Sequence, residues 1–227
     1  MNIFLLGSCR IHRPIRKSMD DGHCALLNRV DPCWFMHTAR AACQSVEIIQ
    51  GKIDPPLDLR ELIFETDNER VIDFVAPDMV RDADALVLEI CTLSSIDLNG
   101  WEANAHRMWR ANKEDDPRAL SAVKTVDSSE IIADNIKKIS DMTHKPIMVV
   151  NHISITGIPE LDRSRKTLTE TLKKAAEIVD FSLFDTASVL DSVPMHIALK
   201  DHNHYNTDFE LIVGNAMIAQ LQSQFFT

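Results

Sequence analysis

Two short motifs near opposite ends of the sequence contain residue types that carry out nucleophilic chemistry. Gly7-Ser8-Cys9-Arg10 follows a short apolar run, and Asp201-His202-Asn203-His204 precedes the last predicted helix. A thiol attacks an acyl carbon, a histidine takes its proton, and a carboxylate orients the imidazole. The leading hypothesis is therefore acyl chemistry with Cys9 as nucleophile, His204 as base and Asp201 as the orienting acid.

The position of Cys9 favours this role. A residue between a strand and a helix lies near exposed N–H donors and the positive end of the helix dipole, which favour a thiolate and can hold an oxyanion. The segment 10–17 carries basic side chains and no acid, which predicts an anion-binding patch that includes Arg10 and Arg13. Its alternative interpretation is a solvated helix face.

Other interpretations of the two motifs stay open at this point. Cys9 also fits a small buried residue that closes a strand, and Ser8 is a rival nucleophile in the same turn. The Asp201–His204 segment also fits a polar turn that satisfies its own backbone. A zinc site built from these residues and His152 lacks the usual helical or paired-cysteine ligand spacing, so we expect no metal.

The elements that position these residues alternate between apolar strands and amphipathic helices. Strands are predicted at 2–6, 46–50, 84–91, 146–151 and 181–184. Helices are predicted after Gly7 and at 31–44, 101–111, 127–142, 160–179 and from Thr207 onward. The alternation predicts an α/β fold: a three-layer, doubly wound, mostly parallel five-stranded sheet of flavodoxin-like type.

The remaining segments are predicted to be loops within a single domain that spans residues 1–227. Segments 92–99 and 113–126 are polar loops, and segment 52–80 is an irregular excursion. Ligands of doubly wound sheets bind at the carboxyl ends of the strands. Cys9, His152 and the Asp201–His204 loop are predicted to converge there, together with Gly51 and Asn151 as further substrate-binding candidates.

The two motifs resemble the first and last blocks of the SGNH/GDSL hydrolase superfamily. The Gly-Ser-Cys form is similar to the GSCFA-type and polysaccharide-biosynthesis branches, in which a cysteine replaces the usual serine. The resemblance implies that Gly7 is the block glycine, Cys9 the nucleophile, Asp201 the acid and His204 the base. Gly51 matches the second-block oxyanion glycine. The loop after Cys91 lacks the Gly-x-Asn-Asp third block, for which Asn151 is a substitute.

The resemblance implies an acyltransferase or esterase that works through an acyl-Cys9 intermediate. The expected substrate is a carbohydrate or another small hydroxyl compound, with Ser8, Arg10 and Arg13 among the binding residues. No cofactor is required, and an acyl-CoA or a similar thioester is a candidate co-substrate. The alternative is a non-catalytic SGNH-like ligand-binding or accessory domain.

Composition narrows the class of protein further. The formal net charge of −10 opposes non-specific binding to nucleic acid. No apolar run approaches the roughly 20 residues that span a bilayer, and the segment before Cys9 is too short for a lipoprotein signal. The 5 cysteines are odd in number and form no Cys-x-x-Cys pair, which favours a reducing cytoplasm.

Overall fold

A computed structural model describes residues 1–21, 24–28, 35–64 and 77–226. The strands are β1 (Asn2–Leu6), β2 (Ala25–Leu26), β3 (Ala85–Ile90), β4 (Ser94–Leu98), β5 (Trp101–Glu102), β6 (Val123–Val126), β7 (Ile147–Asn151), β8 (Ser182–Phe184), β9 (Leu199–Asp201) and β10 (His204–Tyr205). The helices are α1 (Cys9–Lys17), α2 (Ala39–Ile49), α3 (Arg60–Ile63), α4 (Pro77–Asp82), α5 (Ala105–Lys113), α6 (Ser129–Thr143), α7 (Pro159–Ile178), α8 (Ala187–Leu190), α9 (Met195–Ala198) and α10 (Thr207–Phe225).

The centre of the fold is a five-stranded sheet in the order β2-β1-β3-β7-β8. All of its described pairings are parallel, and Leu6 pairs with Leu88 while Ile90 pairs with Asn151. The carboxyl ends of β1, β3 and β7 therefore lie side by side. This edge carries the residues that follow each strand: Cys9, Cys91 and His152.

Helices cover both faces of this sheet, because the central strands are apolar on both sides. One buried cluster joins the sheet to α2, α6 and α7. The other joins it to α1 and α10. The predicted three-layer, doubly wound α/β fold is confirmed.

Helix α10 begins differently from the predicted capping box. The pattern Thr-x-x-Glu predicts Thr207 as N-cap, but the structure has Asn206 there, with no side-chain cap bond. Glu210 instead forms an ion pair with Lys17, whose Nζ lies 2.8 Å from Glu210 Oε2. The glutamate of the expected capping box therefore pairs with a lysine of α1 instead.

Four predictions about local structure are wrong. Segment 46–50 lies in α2 and its C-cap rather than in a strand, since Ala42, Val46 and Ile49 share a buried helical face. Segments 92–99 and 113–126 contain β4 and β6, which pair antiparallel in a second sheet. The predicted helix at 31–44 begins at Ala39 after its N-cap Thr38, and residues 31–34 lie outside the described part.

The predicted excursion at 52–80 is only partly described. Short helices occupy Arg60–Ile63 and Pro77–Asp82, and residues 65–76 lie outside the described part. Within the described residues, no helix is long and apolar enough to cross a membrane. The cysteines at 9, 24, 43 and 91 are unpaired.

Candidate active site

Cys9 is the first residue of α1, directly after the turn that ends β1. Ser8 is the N-cap: its backbone is extended, and its hydroxyl accepts a hydrogen bond from Arg10 N at 3.3 Å. A Cβ on Gly7 would lie 2.6 Å from Glu89 Cβ and 2.7 Å from Ile11 Cδ1. Only glycine fits this close approach between the turn and β3.

A buried ion pair lies beneath this turn. Glu89, at the end of β3, accepts hydrogen bonds from Ser8 N at 2.6 Å and from Arg10 Nε at 2.5 Å. Burial alone would raise the pKa of Glu89, but the Arg10 charge and the Ser8 donor outweigh it and lower the pKa to about 2. Glu89 is therefore ionised, and it fixes the first turn of α1 to the sheet.

The thiol of Cys9 is protonated at neutral pH. Half-burial raises its pKa above 9.0, although the charges of Arg10 and Arg13 act in the opposite direction. The expected thiolate at a helix N-terminus is not favoured here, because desolvation by burial outweighs the effect of Arg10 and Arg13 on the pKa of the thiol. A Cys9 nucleophile therefore needs a base to take its proton.

His204 and Asp201 form a hydrogen-bonded pair on either side of the turn that joins β9 to β10. His204 Nδ1 lies 2.9 Å from both Asp201 carboxylate oxygens. Asn203 N donates to Asp201 Oδ1 at 2.7 Å, and these bonds lower the pKa of Asp201 below its usual value. The contact places a proton on Nδ1 and leaves Nε2 as the basic nitrogen. The side chains of Asp201 and His204 are both partly exposed, so the ring is accessible from solvent.

The segments that contain Cys9 and His204 are linked through the packing of two helices. Helix α10 begins shortly after His204 and packs along α1. Lys17 Nζ donates to Thr207 O at this junction. Among the described residues no hydrogen bond joins the Cys9 thiol to the His204 ring.

The other predicted binding residues take different positions. Arg13 is exposed and lies 3.9 Å from Glu210, which reduces the positive charge of the predicted anion patch. Asn151 is buried and donates both amide hydrogens, to Thr169 and Asp185, so it has none left for an oxyanion.

Gly51 does not join the site. It lies in the turn after α2, next to Gln50, whose side chain donates to Met142 O at the end of α6. This turn lies near the start of β7, at the amino edge of the sheet. Cys9 lies at the opposite, carboxyl edge. Its positive φ of 68° makes Gly51 a turn residue.

Several residues of the site were missed by the sequence analysis. Glu89 and Arg165 are charged groups buried at the carboxyl edge, and Tyr205 lies within their electrostatic influence, as does the predicted His152. A glutamate inside the apolar strand Ala85–Ile90 was the one available signal. No cluster of three or more metal-ligand side chains occurs in the ranges that the structure describes.

We expect His12 to make the stability of the protein sensitive to acid. It is fully buried in α1, and neither ring nitrogen has a hydrogen-bond partner. Burial lowers its pKa from 6.5 to about 4. The unfolded chain therefore binds a proton between these pH values that the folded chain does not, and stability falls by about 3 kcal/mol as pH decreases from 6.5 to 4.

The prediction is tested by His12→Leu, which removes the titrating group while retaining an apolar side chain. Urea unfolding between pH 7.5 and 4 should show a flatter dependence of the free energy of unfolding than in the wild type. His196→Gln, at an exposed position, is the control and should leave the dependence unchanged. An equal pH dependence in His12→Leu would show that His12 is not the group responsible.

Comparison with known families identifies the chain. A family model described as the TviD N-terminal domain matches residues 1–122 and 103–220. The chain belongs to this family. Both sequence motifs fall within the matched residues of the TviD N-terminal domain, and so do the strands β1, β3 and β7 that position the candidate site.

Solved structures with a related arrangement include two variants of Axe2 from Geobacillus stearothermophilus. One is described as an acetyl-xylooligosaccharide esterase and the other as an acetylxylan esterase. They share 11% and 12% sequence identity with this chain, and each alignment covers 97% of this chain and 93% of the other, with a TM-score of 0.43. None of the curated proteins matches the sequence.

Proposed function

We propose that this member of the TviD N-terminal domain family is an SGNH-type enzyme that transfers or hydrolyses an acyl group through an acyl-Cys9 intermediate. His204 is the general base and acid, and Asp201 orients it. The acyl acceptor is a carbohydrate hydroxyl, another small hydroxyl compound or water. An acyl-CoA or a similar thioester is the candidate acyl donor.

The observation that carries this proposal is the Asp201–His204 pair. The contact of Nδ1 with both carboxylate oxygens at 2.9 Å supports a role for Nε2 as the basic nitrogen of the pair. This pair precedes α10, and α10 packs against the helix whose first residue is Cys9. The proposal also rests on the SGNH-like spacing of the two motifs.

The raised pKa of Cys9 defines the order of events. His204 Nε2 takes the thiol proton as sulfur attacks the acyl carbonyl, and the Cys9 N–H at the first turn of α1 faces the developing oxyanion. The bond to the leaving group breaks, and that group takes the proton from His204. His204 then deprotonates the acceptor hydroxyl or water, which displaces Cys9 and releases the protonated thiol.

Detection of the acyl-enzyme tests the proposal. The protein is incubated with p-nitrophenyl acetate or acetyl-CoA, quenched in acid and measured by intact mass and peptide mapping. We expect an acetyl group on Cys9, no adduct in Cys9→Ala and a strongly slowed reaction in His204→Ala. Cys43→Ala is the matched control, because burial raises the pKa of Cys43 to about 11 and it lies on α2.

Two outcomes would overturn the proposal. One is an adduct of undiminished yield in Cys9→Ala, which would place the nucleophile elsewhere, with Ser8 as the first alternative to map. The other is binding of the acyl donor with no adduct and no turnover, which would favour a non-catalytic ligand-binding domain.

A further inference from the structure

Arg165 connects two parts of the candidate site that are far apart in the sequence. It lies on α7 and is only 6% exposed. Its Nη1 donates to Ile153 O at 2.8 Å and to His202 O at 2.8 Å, and its Nη2 donates to Asn203 Oδ1 at 2.9 Å. One guanidinium thus joins the segment after β7 to the turn between Asp201 and His204.

This connection is the main long-range polar attachment of that turn. The β9–β10 hairpin forms a separate two-stranded sheet. Its other hydrogen bonds among the described residues are local: Asn206 binds the carbonyls of residues 196, 197 and 199, and Asp201 binds Asn203 and His204. Within 201–206, every hydrogen bond from a distant described residue comes from Arg165.

The donor geometry makes arginine necessary at this position. Three oxygen acceptors lie around one planar group, and the fourth contact, His152 Nε2, is 3.4 Å from Nη2. A lysine ammonium on a flexible stem does not reproduce such a fork. No carboxylate of the described residues pairs with Arg165, so its role here is to hold carbonyl and amide oxygens in place.

We infer that Arg165 is a positioning residue that fixes the Asp201–His204 turn, and thereby His204 Nε2, relative to the sheet edge that carries Cys9. The inference rests on the proposed function, because it assigns Arg165 to the same acyl-transfer site. Displacement of a reacting group by about 1 Å reduces rates by roughly 100-fold. We expect Arg165→Met and Arg165→Lys to slow acetylation of Cys9 by about that factor.

The test measures the single-turnover rate of Cys9 acetylation by p-nitrophenyl acetate. Arg163→Met, at an exposed position of the same helix, is the control and should react at the wild-type rate. Hydrogen–deuterium exchange of residues 201–206 should accelerate in Arg165→Met but not in Arg163→Met. Thermal unfolding identifies any variant that fails to fold, in which case Arg165→Lys is the variant interpreted.

A double-mutant cycle separates positioning from a general structural effect. In a His204→Ala background the Arg165→Lys change should have almost no further effect on the rate, because the group it positions is absent. Equal slowing in both backgrounds would overturn the inference, as would wild-type acetylation by Arg165→Met. Retention of the adduct in Cys9→Ala would instead overturn the proposed function, so the two failures are distinguishable.

Discussion

Replacement of Glu89 by glutamine should destabilise the protein by about 3–5 kcal/mol, because it leaves the charge of Arg10 without its buried counterion. The side chains of Glu89 and Arg10 are 1% and 13% exposed, so water solvates the guanidinium poorly when the carboxylate is absent. Glutamine has a similar size, which means that the loss measures charge rather than packing. Urea unfolding at neutral pH gives the free energy directly.

The double variant Arg10→Met with Glu89→Leu is the decisive control. Removal of both charged partners abolishes the desolvation cost as well as the attraction, so its stability should lie much closer to that of the wild type. Glu114→Gln, at an exposed position, should change stability by less than about 0.5 kcal/mol. A single variant as stable as the wild type would show that Glu89 and Arg10 do not depend on each other.

The pH dependence supplies an independent measurement of the same pair. The pKa of Glu89 is lowered to about 2 in the folded protein, below its ordinary value of 4.5. Its contribution to stability is therefore present above pH 4.5 and is lost as pH falls toward 2. This loss should disappear in the double variant, and the decrease due to His12 between pH 6.5 and 4 should remain.

The fold was largely predictable because its central strands are apolar runs bounded by turn residues. Ala85–Ile90 and Ile147–Asn151 are too short and too apolar to be surface helices, and each is followed by polar residues. The same reasoning failed at 46–50, where a short apolar run belongs to the buried face of α2. Short apolar runs do not distinguish a strand from a buried helix by periodicity alone.

The sequence contains a local signal for the hairpin of the second sheet. Asn99 and Gly100 have φ angles of 56° and 87°, which is the two-residue turn that joins antiparallel strands. An Asn-Gly pair between Ser94–Leu98 and Trp101–Glu102 predicts this hairpin. The partner strand β6 has no such signal, since its four residues are exposed and its pairing is long-range.

The sequence indicated parts of the candidate site only where the residue types themselves suggest a chemical role. Cys9, Asp201 and His204 were predicted from their residue types and their spacing within short motifs, and their joint role stays a prediction. Arg165 was not, because its partners are two backbone carbonyls and an asparagine, which have no compositional signature. The sequence did not exclude Gly51 from the site either, because only the three-dimensional structure shows that its turn lies at the opposite edge of the sheet.

Replacement of Gly214 by alanine should destabilise the protein by about 3 kcal/mol or more, although the same change within an isolated helix would stabilise it by about 1 kcal/mol. Gly214 lies in α10 where this helix crosses α1. An alanine Cβ there would lie 2.0 Å from Pro14 O and 2.3 Å from Ser18 Oγ. Since one of these atoms belongs to the backbone, no rotamer change relieves the overlap, and the helices must separate.

Separation of these helices should also slow the reaction, because α1 carries Cys9 and α10 follows His204. The free energy of unfolding and the rate of Cys9 acetylation in Gly214→Ala are measured well below its unfolding temperature. Ala219→Gly, at an exposed position of α10, calibrates helix propensity and should cost about 1 kcal/mol. A Gly214→Ala variant that gains stability and reacts at the wild-type rate would contradict both the predicted overlap at the crossing of α1 and α10 and its predicted effect on the reaction.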